Sequence, residues 1–304
     1  KGIRMSNTHL DNLLPKVKET LQLTDQERKD FILEDKWITY PAAKDILNQL
    51  DRLLHHPKKS RMPCMLIVGE TNNGKTSIIN KFIKNNPPYE EEEVTIIPVL
   101  SIVAPETGTI TDLFSKILLQ LAVPYRNSDK INKKRELIDH YFKLCNINLL
   151  IVDEIHNILV GPVSKQKAFM NALKNLSTEL QIPVVIAGIP DALHATNTDP
   201  QINNRFKPAP LKKWPFERDF LSLLASIEKT LPLHKASNLA TTKEIALYIH
   251  DNCEGYIGEA VDLINASAEY SIDNKVEKID LQCLKKCQFV KPSNRKHFDD
   301  IKAL

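Results

Sequence analysis

Glycine is scarce in this chain, 8 residues in 304, so each one is a candidate for a backbone requirement. Cysteine is scarce too. Cys64, Cys145, Cys253, Cys283 and Cys287 are an odd number in a long chain and match no zinc spacing, because Cys283 and Cys287 have no second Cys or His pair at a useful distance. They read as reduced thiols of a cytoplasmic protein. No apolar run approaches the roughly 18–20 residues of a membrane span, the N-terminus has no signal-peptide core, and no segment is collagenous or low in complexity. Net charge is nearly absent: 41 Lys and Arg against 38 Asp and Glu leave +3. A nucleic-acid surface must therefore be sought in the distribution of charge, not in its sum. What remains, 42% hydrophobic and 26% charged residues, suits a soluble chain with a sizeable core, in one large domain or two smaller ones.

Residues 1–4 precede Met5, which reads like a natural start, and they are left out of the fold reading. Residues 8–34 are polar with scattered apolar positions. They read as a short helical arm (1–34) appended to the main domain, with Thr24 and Glu27 as a capping box. From Cys64 the pattern sharpens. Apolar runs at 64–68, 94–100, 147–152 and 182–187 alternate with helical periods at 110–121, 131–145 and 165–180. Continuous apolar strands separated by helices indicate a parallel sheet buried on both faces. After Leu211 the strands stop, and Pro208-Ala-Pro210 and Trp214-Pro215 mark the change. Four helices are expected at 217–231, 242–252, 258–272 and 281–289. The predicted architecture is an α/β core over 35–210, a small all-helical domain over 211–290 and a tail at 291–304.

The segment Gly69-Glu70-Thr71-Asn72-Asn73-Gly74-Lys75-Thr76, followed by Ser77, matches G-x-x-x-x-G-K-[ST] in full, between a strand and a helix. Its glycines let the chain curl so that successive N–H groups point at phosphate oxygens, and the next helix adds its positive end. Lys75 would reach the β- and γ-phosphates of ATP, and Thr76 would offer its hydroxyl to Mg²⁺. Leu149-Leu-Ile-Val-Asp153-Glu154 supplies the acidic partner: Asp153 beside the metal, Glu154 to orient and deprotonate the attacking water. Two carboxylates favour hydrolysis over phosphoryl transfer to a small molecule. Arg205, between the fourth strand and the helical domain, reads as an arginine finger for a neighbouring subunit's γ-phosphate. His156 reads as a structural neighbour of Glu154.

These motifs resemble those of AAA+ ATPases, a P-loop α/β core followed by a helical lid, and more narrowly the TniB/TnsC family of transposition ATPases. Trp37-Ile-Thr-Tyr40-Pro41-Ala-Ala is similar to the family's Trp-Ile-x-Tyr-Pro-Arg-Ala segment ahead of the P-loop. Asp153-Glu-Ile-His-Asn157 resembles its Walker B motif, Ile182-Pro-Val-Val-Ile-Ala-Gly188 its fourth core strand, and Glu254-Gly-Tyr-Ile-Gly258-Glu the start of its lid helix. The resemblance spans roughly residues 35–290. It implies a homo-oligomeric ring or helical filament around double-stranded DNA, linking a target selector of the TniQ kind to a DDE transposase of the TniA/TnsB kind. It places Ile38 and Tyr40 near the adenine. Departures are Ala42 in place of arginine, no polar sensor residue in Ala187-Gly188-Ile189, and Glu259 and Val261 where a lid arginine is expected. Slow, regulatory ATP hydrolysis follows from these losses.

Two segments suit phosphate contact. Thr107-Gly-Thr109 precedes a helix, and 126–135 holds five basic residues, Arg126, Lys130, Lys133, Lys134 and Arg135, against Asp129. The resemblance puts both segments on the pore side of a ring, with Thr107, Thr109, Arg126, Lys130, Lys133 and Lys134 as DNA contacts. The stretch 275–302, with eight Lys and Arg against four Asp and Glu, reads as a soluble end. Two other functions stay open: an AAA+ helicase loader or replication initiator, and a small-molecule phosphotransferase.

Overall fold

The computed structural model describes residues 8–197 and 200–295. The described residues open with three short helices, α1 (Thr8–Asn12), α2 (Pro15–Thr20) and α3 (Asp25–Leu33), and continue through α4 (Pro41–Leu54). Then follow β1 (Cys64–Gly69), α5 (Lys75–Asn85), a hairpin of β2 (Tyr89–Glu91) and β3 (Val94–Ile96), β4 (Val99–Val103), α6 (Ile110–Gln120) and α7 (Ile131–Leu144). Next come β5 (Leu149–Asp153), a 3-10 turn (Ile155–Val160), α8 (Val163–Leu180), β6 (Val184–Gly188), α9 (Ala192–Asn197), α10 (Pro200–Asn203) and β7 (Phe206–Leu211). The remaining described elements are helices: α11 (Arg218–Glu228), α12 (Lys243–Cys253), α13 (Ile257–Asp273), α14 (Leu281–Lys286) and α15 (Pro292–Arg295).

Two compact units result. Pro41–Lys212 forms the α/β unit. Its sheet has the order β4-β5-β6-β1-β7, and every pairing is parallel. The three central strands are buried along their whole length, as continuous apolar runs in a sheet covered on both faces require. Two expectations need correction. The 94–100 run is not one strand: Pro98 divides it, and Val94–Ile96 pairs antiparallel with Tyr89–Glu91 outside the main sheet. The sheet also has a fifth strand beyond the four expected, Phe206–Leu211, which pairs with all of β1. Its two prolines, 208 and 210, look like strand breakers. An edge strand tolerates them because prolines two residues apart lack their N–H groups on the same, unpaired side.

The second unit combines the residues up to Tyr40 with those from Lys213 onward. The N-terminal arm is therefore part of the helical unit and not an appendage of the α/β core. Ile32 enters the helical core with Phe220, Leu224, Ile249, Leu263 and Ile264. Arg28, 2% exposed, gives Nε and Nη2 to the Pro232 carbonyl at 3.1 and 2.7 Å and meets the Glu277 carboxylate through Nη1 and Nη2 at 3.1 and 2.5 Å. The Thr24–Glu27 capping box forms as expected. The tail is also less free than expected. Arg295 binds both oxygens of Glu259 at 2.9 and 2.5 Å, the Ser293 N–H donates to Glu254, and Lys275 pairs with Asp25. Residues 296–302 of the basic stretch, like residues 1–4, lie outside the described residues. No helix among the described residues is long and apolar enough to cross a membrane.

Candidate nucleotide-binding site

The parallel sheet brings the carboxyl ends of β1, β6 and β5 side by side: Val68 is opposite Gly188, and Val152 is opposite Ile186. Loops leaving that edge are where open α/β sheets hold ligands. After β1 the chain turns at once. Asn72 (φ 57°) and Gly74 (φ 85°) both adopt the left-handed region, and Gly74 caps α5. Gly69 is required for a different reason. A Cβ there would lie 2.9 Å from the Leu211 Cβ, where β7 ends against β1. Asn73, 2% exposed, ties the loop to the same place through Nδ2 bonds to the carbonyls of Leu211 and Lys212 at 3.0 and 3.2 Å. Sequence reading took Asn73 only as a loop backbone position. Nothing local signals the tie, because its acceptors are about 140 residues away.

Lys75 is buried, and its Nζ donates to the carbonyls of Gly69 and Glu70, each at 2.9 Å. Burial holds its amine below the usual lysine range, while Glu154, Asp153 and Glu70 pull the other way. The Thr76 hydroxyl donates to Asp153 Oδ2 at 2.8 Å, and Asp153 Oδ1 accepts the Glu154 N–H at 2.8 Å. Hydroxyl and carboxylate oxygens in contact are the donor set a hard divalent cation takes. The residues therefore fit Mg²⁺ held jointly with phosphate oxygens. Glu154 has φ 54° and ψ 39°, and its side chain is 38% exposed with Oε2 3.1 Å from His156 Nε2. The P-loop residues, Asp153 and Glu154 thus come together as expected. Glu70, Thr71, Thr76 and Ser77 are exposed around the loop.

The missing sensor side chain at the end of β6 has a physical cause. A Cβ at Gly188 would come within 2.8 Å of Ile155 Cγ2 and 3.0 Å of Ala192 Cβ, so the turn after Asp153 occupies that space. Ile38 and Tyr40 belong to the helical unit. Ile38 packs on its core, and Tyr40 sets its ring edge-on to Trp214 at 5.0 Å. The Tyr40 hydroxyl is buried without a partner among the described residues, and burial pushes it up to about 12.

Arg205, expected as a finger for a neighbouring subunit, is engaged within its own α/β unit. It is 7% exposed, and its Nη1 donates to the Lys174 carbonyl and the Thr178 hydroxyl at 3.0 and 2.8 Å. It precedes Phe206, the first residue of a strand whose last residue reaches Gly69. Arg205 therefore sits at the opposite edge of the sheet, about 20 Å of strand from the P-loop.

The proposed DNA contacts divide in the same way. Thr109 caps α6, and its hydroxyl and that of Thr107 both bond Asp112, whose carboxyl they hold below its ordinary range. Those hydroxyls are spent within the loop. Lys134 is 1% exposed, with Nζ on the Ser115 hydroxyl at 2.9 Å and 4.9 Å above the Tyr125 ring. A duplex does not reach a lysine buried that far, so this contact is set aside. Lys133 pairs with Asp129 at 2.8 Å and Arg135 with Glu179. Arg126 and Lys130 are exposed, with no ion pair to a described residue.

The description "bacterial TniB protein" belongs to a family model that matches residues 28–216, more than half of the chain. No curated protein matches. Among solved structures, Cdc6p from Pyrobaculum aerophilum is 16% identical with a TM-score of 0.61, covering 82% of this chain and 68% of its own. The ORC2 protein of Aeropyrum pernix, in ADPNP and ADP complexes, is 14% identical with a TM-score of 0.60 over 84% and 69%. The ORC1 protein of Aeropyrum pernix in complex with DNA is 12% identical with a TM-score of 0.53 over 89% and 69%. At these identities the likeness is one of fold, the AAA+ fold with its helical C-terminal region.

Proposed function

We infer, since this chain belongs to the TniB family, that it is an ATP-dependent regulator of DNA transposition that assembles on double-stranded target DNA. The observation that carries the reading is the Thr76–Asp153 hydrogen bond at 2.8 Å with Glu154 next in the chain, because it unites P-loop and acidic strand end as one nucleotide site. ATP binds with its phosphates on the loop from Gly69 to Ser77, where Lys75 exchanges its two carbonyl acceptors for phosphate oxygens. Thr76 and Asp153 would hold Mg²⁺, which would supply charge neutralisation at the phosphate oxygens. Glu154 orients the attacking water and accepts its proton. Without a polar sensor side chain at Gly188 and with Glu259 taken by Arg295, hydrolysis is slow, and ATP binding mainly governs assembly.

Subunits form a ring or filament that joins a TniQ-like selector to a TniA/TnsB-like transposase. Contact with DNA is electrostatic and largely indifferent to sequence. Electron microscopy with ATP, Mg²⁺ and duplex DNA tests this: oligomers on DNA are expected, and particles that remain monomeric overturn the reading. E154Q is expected to retain assembly and lose turnover by about 100-fold or more. The likeness to Cdc6 and ORC proteins favours a second reading, a replication initiator or helicase loader. Capture of a replicative helicase and no binding of a transposase would establish it.

A further inference from the structure

His156, expected only as a structural neighbour of Glu154, is the side chain on which the Glu154 carboxylate rests, Nε2 to Oε2 at 3.1 Å. The backbone of this turn is closely tied. Glu154 N–H bonds Asp153 Oδ1, Asn157 N–H bonds the Glu154 carbonyl at 3.0 Å, and Ala104 N–H bonds the Asp153 carbonyl at 2.8 Å. Asn157 Nδ2 returns to the Ala104 carbonyl at 3.1 Å. Ile155 is fully buried against the face of Gly188. Against this fixed frame, the Glu154 side chain leaves a left-handed backbone and is 38% exposed. A half-buried glutamate on such a base samples several rotamers unless something restrains it.

The imidazole is built to restrain it. His156 Nδ1 is buried and has no partner among the described residues, whereas Nε2 faces a carboxylate oxygen. A ring hydrogen therefore belongs on Nε2, which donates it to Glu154. We propose that His156 is a positioning residue that holds the Glu154 carboxylate in one orientation for water activation. This rests on the reading of the chain as an ATPase. It assigns His156 no contact with nucleotide and no proton transfer.

Steady-state ATP turnover of the full chain, with assembly on duplex DNA measured in parallel, provides the test. H156A is expected to lower kcat about tenfold, the loss of about 1.4 kcal/mol of transition-state stabilisation, with KM for ATP and assembly unchanged. A glutamine amide nitrogen reaches where Nε2 sits, and an asparagine amide only where Nδ1 sits. H156Q therefore recovers most of the turnover and H156N does not. In an E154Q background, H156A has no further effect. Wild-type rates in folded H156A, or equal rates in H156Q and H156N, overturn the assignment while leaving the ATPase reading intact. A wild-type chain whose turnover is insensitive to E154Q overturns the ATPase reading, and this inference with it.

Discussion

Both units bury charge, but they use it differently. In the α/β unit, Lys75 and Asp153 are each 5% exposed, and they face neutral groups: two carbonyls for the lysine, a hydroxyl and an N–H for the aspartate. In the helical unit, Arg28 and Glu259 are as deeply buried, and each is matched two-to-two with an opposite charge, Glu277 and Arg295. A paired charge is saturated and acts as a fastener between distant stretches of chain. A charge resting on dipoles at the carboxyl edge of a sheet keeps its capacity for a charged ligand. Burial alone does not separate a site from a clasp, and the identity of the partner does. Arg205 and Lys134 add a qualification. They too rest on neutral groups, but among packed helices and away from that edge.

The largest expected effect follows directly. K75A should weaken ATP binding about 1,000-fold, near 4 kcal/mol, and abolish assembly, with little change in melting temperature. Isothermal titration and differential scanning fluorimetry together check both halves. A strong loss of stability with unchanged ATP affinity would reverse the comparison and make Lys75 a fastener.

R28A should do the opposite, destabilising the helical unit by about 3 kcal/mol because Glu277, largely enclosed, loses its guanidinium partner. The pair also gives a pH dependence. Burial pushes the Glu277 carboxyl up, but the Arg28 guanidinium outweighs it, with help from the His234 N–H, and the net position is below the ordinary glutamate value. A carboxyl held lower in the folded state contributes stability that is fully present above its unfolded pKa. That contribution is lost as pH falls through the folded value. Urea melts should therefore weaken below about pH 4.5, and E277Q should flatten that dependence.

Arg205 supplies a smaller effect of the fastener kind. R205A should cost about 2 kcal/mol through lost bonds to Lys174 and Thr178, while kcat per folded molecule stays unchanged. Mixing R205A with wild type tests this sharply, since a finger acting in trans would show rescue and a fastener shows none.

How much of this was legible in the sequence depends on the range of the interaction. The P-loop and Asp153-Glu154 are local patterns whose chemistry fixes their spacing, and they fold as read. Alternating apolar runs and helical periods gave the parallel sheet and most helices within a few residues. Pairing was not legible. Prolines hid β7 because breaker signals do not reveal that a strand lies at an edge. The arm joined the helical unit through Arg28, Glu277 and Ile32, residues joined by no local pattern. The basic run at 126–135 misled for a related reason: helical periodicity turns Lys134 inward beside Ile138, with both residues 1% exposed or less, so a cluster in sequence is not a cluster on a surface.

That last difference yields the smallest and most discriminating effect. Arg126 and Lys130 are exposed and outside any ion pair with a described residue, Lys133 is shared with Asp129, and Lys134 is enclosed on Ser115 and Tyr125. If duplex DNA meets this segment, R126Q and K130Q should each lower affinity a few-fold and reduce the slope of log affinity against log salt by about 1. K134M should change neither quantity, and replacing a buried ammonium by an apolar chain of similar length should leave stability equal or slightly higher. Fluorescence anisotropy at several salt concentrations separates these outcomes. A salt slope reduced by K134M and untouched by R126Q would mean that the inward-facing lysine is drawn out onto DNA. Lys134 would then stand with Lys75, as a buried charge kept for a phosphate.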